Sequence, residues 1–295
     1  MTRETGTGKY EQLVARCKGL APVTTAVAHP CEASALAGAA QAAAERLIKP
    51  IYVGPKARIN EIARTAGIDL GAAEIVDAPH SHAAAQQAVA LVREGRAELL
   101  MKGSLHTDEL LGAVVARDTG LRTGRRISHV FIMDVPTYHK VLIVTDAAIN
   151  IAPSLEEKVD ICQNAIDLAI SLGLKQPKVA LLAAVETVNS KMPATIDAAA
   201  LCKMAERGQI KGGILDGPLA FDNAISPEAA RTKGIKSEVA GEKAQQLREN
   251  VAGLVLGARV PIILTSRADS VRARIASCAV AMLAAHARRK SAAEG

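Results

Sequence analysis

Residues 261–274, PIILTSRADSVRAR, place a serine and an arginine where an apolar run gives way to a charged, helix-like stretch. Ser266 and Asp269 have the spacing of a capping box, in which a serine side chain and an acid three residues on satisfy exposed N–H groups. That spacing accounts for both residues without any chemistry. It does not account for Arg267, a cation in a first turn, where the helix dipole disfavours positive charge. A bound anion would offset the cost, and a guanidinium can hold a phosphate through two parallel hydrogen bonds. Further polar clusters are expected at the carboxyl ends of strands: His29, Lys102-Gly103-Ser104, Asp146 through Asn150, Asn189-Ser190-Lys191 and Asp216-Gly217-Pro218. Each alone is most often a helix cap. Together they fall where α/β proteins bind anions.

The elements that would position them alternate. VTTAVA (23–28), KPIYVGP (49–55), AEIVDA (73–78) and ELLMKG (98–103) read as short strands. The alanine-rich run after His29-Pro30, residues 56–66, SHAAAQQAVALVREG with Gly95 past its end, and a stretch from about Thr107 read as helices. This rhythm signals a mostly parallel sheet covered by helices. SHVFIMDVP and KVLIVTDAA, joined by Thr137-Tyr138-His139, read as a hairpin that opens a second domain. LEEKVDICQNAIDLAISLG, KVALLAAVE (178–186), a helix near 197–207, GGILDGPLA (212–220), VAGLVLGA and PIILTS continue the alternation. The fold class is therefore α/β with two α/β domains and a cleft between them, residues 1–126 plus 265–295 and residues 127–264.

Bulk properties narrow the partners. The 295 residues are 49% hydrophobic but only 2% aromatic, and the net charge is +6. A basic chain suits anionic partners, yet three Tyr and two Phe give few platforms for stacking single-stranded nucleic acid. No nucleic acid is expected, and the balance tips to small phosphorylated ligands. The five cysteines are scattered and form no CxxC pair, which fits a reduced, cytoplasmic protein without structural zinc. IASCAVAMLAAHA is too short to span a bilayer and reads as a buried helix, so no membrane partner is expected. There is no GxGxxG after a strand, no P-loop spacing, no HExxH and no GxSxG. No metal site is expected.

The stretches VAHPCE, LMKGSLHTDELL, RRISHVFIMDVPTYHKVLIVTDAAINIAPSLEEK, KVALLAAVETVNSKMPATIDAA, GGILDGPLAFDNAIS and PIILTSRADS carry a resemblance. In this order, from about residue 23 onward, they resemble the phosphate acetyltransferase and phosphate butyryltransferase family. PTYHK, DAAINIAP and DGPLAFDNA look closer to the butyryl branch. The resemblance implies acyl transfer between coenzyme A and inorganic phosphate, a site in the cleft, and a homodimer. Acyl-CoA, inorganic phosphate and acyl phosphate would be the partners, with no further cofactor. The family's Ser-Arg pair falls on Ser266 and Arg267: the serine at the reacting carbonyl or thiol, the arginine on phosphate. Asp269 is the nearest carboxylate for a base. Lys102, Ser104, Asp146, Asn150, Lys191 and Asp216 are candidate substrate-binding residues.

The chain departs from the family at three places. The acetyl branch has a catalytic Asp seven residues after the Ser, where this chain has Ala273. A phosphate-binding Arg of that branch aligns with Gly112. After KSEVAG the family continues with a strand, a Glu-Ala-Gly-Asn turn and a helix, whereas Gly241 here runs straight into EKAQQLREN. A non-catalytic acyl-CoA-binding or assembly module is the alternative these departures raise. A metal- and nicotinamide-dependent decarboxylating dehydrogenase would need clustered Asp ligands, which are not found near Asp216 or Asp269.

Overall fold

A computed structural model describes residues 9–133, 141–241, 251–265 and 269–294. In chain order the first elements are α1 (Lys9–Cys17), β1 (Val23–Ala28), α2 (Ala33–Ala44), β2 (Ile48–Gly54), α3 (Lys56–Ala66), β3 (Glu74–Asp77), α4 (Ser81–Arg93), β4 (Leu99–Lys102), α5 (Thr107–Val115) and β5 (Ser128–Met133). Next come β6 (Leu142–Thr145), α6 (Leu155–Ser171), β7 (Lys178–Leu182), α7 (Pro193–Glu206), β8 (Ile214–Leu219), α8 (Phe221–Ile225) and α9 (Pro227–Thr232). The chain closes with β9 (Val251–Leu256), β10 (Ile262–Ile263) and α10 (Val271–Glu294).

The molecule divides into two compact units, residues 1–132 with 250–295, and residues 133–249. The sequence reading set the divisions at 126/127 and 264/265. The difference is β5, β9 and β10. All three stand in the first unit's sheet, where β9 pairs antiparallel with β10. That sheet runs in the order β3-β2-β1-β4-β10-β9-β5. β1, β2, β3, β4 and β10 are mutually parallel.

The central strands read as apolar runs because helices cover both of their faces. All of β4 is buried, and β1 is buried at every position but Thr24. Each such aliphatic side chain removed from water contributes about 1.5–3 kcal/mol before chain entropy is counted. α10 is buried continuously from Ala273 to Ala285, as an apolar helix wedged against β9, β10, α1 and α2 must be. Its small side chains allow the close approach. Gly95, with φ +74°, ends α4 in the left-handed conformation that favours glycine.

The second unit is thinner. β7 and β8 form a parallel pair with a register shift between Ala180 and Leu182. One core gathers Cys162, Ile166, Leu181, Ala198, Leu201 and Ile210, and a smaller one Leu219, Ala224 and Val239. α6 begins at a capping box: Ser154 Oγ accepts from Glu157 N at 3.3 Å, and Glu157 Oε2 accepts from Ser154 N at 2.9 Å. β6 follows β5 as the expected strand pair requires. The connecting Thr137-Tyr138-His139 lies outside the described residues, and so does EKAQQLREN.

Candidate active site

β1, β4 and β10 lie side by side and end at one edge, with Ala28 opposite Lys102 and Ile263 opposite Met101. Chain order reverses between β1 and β4, since β2 and β3 lie to one side of β1 and β4 to the other. Open α/β sheets bind ligands beyond the carboxyl ends of their strands at such a reversal.

The backbone is packed tightly at this point. Gly103 N donates to Ala28 O at 2.9 Å. A Cβ on Gly103 would stand 2.3 Å from Ala28 O and 2.6 Å from His29 O, so only glycine fits. The carbonyl of His29 accepts from Cys31 N (2.9 Å), Ser104 N (2.9 Å) and Ser104 Oγ (2.8 Å). The same Ser104 hydroxyl accepts from Cys31 N at 2.9 Å. Buried Ser104 thus ties the end of β1 to the end of β4. These bonds hold His29 at φ +50°, a conformation that costs a non-glycine residue about 1–3 kcal/mol and clusters at functional sites. Its ring Nδ1 is enclosed and has no hydrogen-bond partner. Burial, then the nearby Arg58 guanidinium, hold the imidazole below its usual range, while Glu109 and Glu32 pull the other way.

Lys102 is 6% exposed. Its Nζ lies 3.4 Å from Thr265 O and 3.5 Å from Gly103 O, and Thr265 Oγ1 donates to Lys102 O at 3.2 Å. Thr265 is therefore fixed against β4, and the chain leaves it toward Ser266 and Arg267, which lie outside the described residues. Where it resumes, the expected capping box gives way to another arrangement. α10 starts at Val271, and Ser270 Oγ accepts from Ala273 N at 3.1 Å. Ser270 caps the helix, so Asp269 is not the capping acid. Buried Arg274, which the sequence reading passed over, donates to the carbonyl of Ser34 and fastens α10 to α2.

In the second unit, Asp146 Oδ2 accepts from Asn150 N at 2.7 Å and from the Asn150 side chain, and Oδ1 accepts from Ala148 N at 3.4 Å. Asp146 and Asn150 are thus brought together, and the carboxylate orders the turn after β6. Lys191 is exposed, and its N–H donates to Asn189 Oδ1 at 2.9 Å. Asp216 departs from expectation. It stands inside β8 opposite Ala180, not at a strand end, and accepts from Gly217 N at 2.8 Å. The Gly-Pro that suggested a strand end sits within an irregular strand instead.

Gly112 lines a cavity of about 610 Å³ between α4 and α5, with His82, Arg93, Asp108, Glu109 and Thr119 around it. The cysteines are all free. Burial pushes Cys17, Cys162 and Cys202 up to about 11 and Cys278 to about 12, and raises Cys31 as well. None is a thiolate at neutral pH, which is the form a cysteine nucleophile needs. Among the described residues no group of three or more His, Cys, Asp or Glu is placed to hold a metal ion. No helix there is long and apolar enough to cross a membrane.

The fold is α/β, and the carboxyl edge of β1, β4 and β10 gathers a buried lysine and an ordering serine beside Thr265. The phosphate acetyl/butaryl transferase profile matches residues 79–247. A phosphate acetyltransferase of Rhizobium meliloti is 62% identical over 95% of each chain. A phosphate butyryltransferase of Clostridium beijerinckii is 40% identical over 94% of this chain and 97% of its own. The crystal structure of a branched-chain phosphotransacylase from Enterococcus faecalis V583 superposes with a TM-score of 0.72 at 28% identity, over 90% of this chain and 99% of that one. The chain belongs to the phosphate acetyl/butyryl transferase family and is an acyltransferase of that type. The higher identity to the acetyl relative does not favour the butyryl leaning read from PTYHK, DAAINIAP and DGPLAFDNA. Nothing in these relationships supports a non-catalytic module.

Proposed function

We propose that the protein moves a short acyl group, acetyl or butyryl, reversibly between coenzyme A and inorganic phosphate at the carboxyl edge of β1, β4 and β10. One observation carries this placement: Thr265 is locked to Lys102 beside the reversal of the sheet, and the next two residues in the chain are Ser266 and Arg267. Arg267 holds phosphate in bidentate fashion, with the buried Lys102 adding positive charge behind it. Ser266 donates to the carbonyl oxygen as it gains negative charge. Asp269 exchanges the proton of the coenzyme A thiol. Ser104 orders the edge. Asp146, Asn150, Lys191 and Asp216 are proposed as contacts to the rest of the substrates.

The raised thiol pKa values favour direct transfer over an acyl-cysteine intermediate. No cofactor beyond these substrates is proposed. A homodimer in the cytoplasm fits the resemblance and the free cysteines, and light scattering reads the oligomeric state directly. The reaction itself is tested by mixing the purified chain with acetyl phosphate and coenzyme A. Thioester should accumulate only when both are present. Loss of acetyl phosphate without thioester would overturn the reading.

A further inference from the structure

Acyl transfer moves a proton as well as an acyl group. Acyl-CoA and hydrogen phosphate become acyl phosphate and a thiol, so the phosphate O–H loses the proton that sulfur gains. In the proposed site Asp269 serves the sulfur. Nothing in it yet serves the phosphate.

We propose that His29 takes the proton from hydrogen phosphate and returns it to the departing phosphate in the opposite direction. A phosphate oxygen attacks the thioester carbonyl carbon, the C–O bond forms, the C–S bond breaks, and its electron pair leaves on sulfur. The phosphate O–H proton passes to the His29 ring, and a proton from water passes by way of Asp269 to sulfur. Imidazolium and carboxylate then re-equilibrate with water. This assignment rests on the acyltransferase reading of the same edge.

Three features of His29 carry it. It is the first residue beyond β1, next to Gly103 and Ser104, so it stands at the reversal of the sheet. Its backbone is held at φ +50° by donors converging on its carbonyl, and such a strained conformation persists only where the surroundings enforce it. Its Nδ1 is enclosed without a partner, which leaves Nε2 to exchange a proton. The charged groups around it are Arg58 from α3, Glu109 from α5 and Glu32 at the start of α2. Burial and Arg58 keep the ring neutral at pH 7, as a proton acceptor must be, and a nearby arginine suits an anionic substrate.

The sign of the pH dependence follows. With its pKa lowered from 6.5, His29 is neutral above that range and activity is full. Activity falls as pH drops through the lowered value. The test replaces His29 with residues that accept a positive φ, so that backbone strain is not the cause of any loss. In His29→Asn, kcat for acetyl-CoA with phosphate should fall about 10²- to 10⁴-fold with KM for acetyl-CoA unchanged, and the acid limb should disappear. In His29→Gly, added imidazole should restore turnover in a saturable manner. Wild-type kcat in either variant would overturn the proposal. So would a loss of kcat that keeps the acid limb and ignores imidazole, or a wild-type profile with no acid limb below pH 6.5. An inactive wild type sinks the acyltransferase reading. An active wild type beside a fully active His29→Asn sinks only the role of His29.

Discussion

The carboxyl edges of the two units are built to different tolerances. In the first, β1 and β4 are buried almost throughout, and Gly103, Ser104 and Thr265 lock neighbouring strands by backbone and hydroxyl bonds. In the second, β7 and β8 are mostly half-buried, and Leu182, Val188 and Phe221 are exposed. Two of its candidate polar side chains accept from neighbours in the chain, Asp146 from residues 148–150 and Asp216 from Gly217. A dense sheet holds reacting groups with little reorganisation, which is what stabilising a developing charge requires. The proposed chemistry is therefore placed at the edge whose geometry the core enforces.

The sharpest way to break this contrast is Gly103→Ala. The added methyl meets the carbonyl oxygens of Ala28 and His29, backbone atoms that cannot turn aside. The substitution should destabilise the protein by about 3 kcal/mol, at the upper end for overpacking, and lower the melting temperature with loss of activity. An unchanged melting temperature would show the edge to be softer than described.

Asp269→Asn comes next. Ser270 Oγ accepts from Ala273 N in the first turn of α10, and this change leaves that bond in place. It should cut kcat about a hundredfold, the low end for a proton-transfer group, without altering the melting temperature. Full turnover would move the thiol proton to another carrier.

Arg267→Ala should weaken use of phosphate by about ten- to a hundredfold, roughly 1.5–3 kcal/mol for one charge-assisted contact, and spare coenzyme A. Equal losses for both substrates would make the arginine structural.

The smallest effect belongs to Glu98, whose carboxylate accepts from Arg289 Nε at 2.6 Å and joins the start of β4 to α10. Hydrogen bonding from Arg289 holds Glu98 below the usual carboxylate range, against the effect of burial. A depressed pKa adds stability above the unfolded value, about 4.3, that is lost as pH falls through the folded one. Both side chains are well exposed, so Glu98→Gln should cost only about 0.2–1 kcal/mol by denaturant titration at pH 7 and nothing near pH 2.

Much of this was legible in the sequence. VTTAVA is β1 residue for residue, and the positions of β2, β3, β4 and β7 follow from apolar runs bounded by Gly, Pro or charge. The family motifs located the edge before its geometry was known. Other features were missed. α8 and α9 are short, and α1, whose Tyr10, Leu13, Val14 and Cys17 do have helical spacing, is missing from the sequence reading. Ser266-x-x-Asp269 matches the capping-box spacing, but tertiary packing starts α10 at Val271 and hands the cap to Ser270. Gly217-Pro218 reads as a strand end, yet β8 continues through it because the register shifts beside it. The strain at His29 comes from bonds to Ser104, 75 residues away in the chain, and no spacing rule reveals it.

The account is tested most directly by adding inorganic phosphate to acetyl-CoA and a purified chain whose intact mass matches 30.7 kDa, while free thiol and acyl phosphate are both measured. The account predicts phosphate-dependent release of thiol, with one acyl phosphate formed for each thiol. A folded chain of that mass that binds acetyl-CoA and releases no thiol would contradict it.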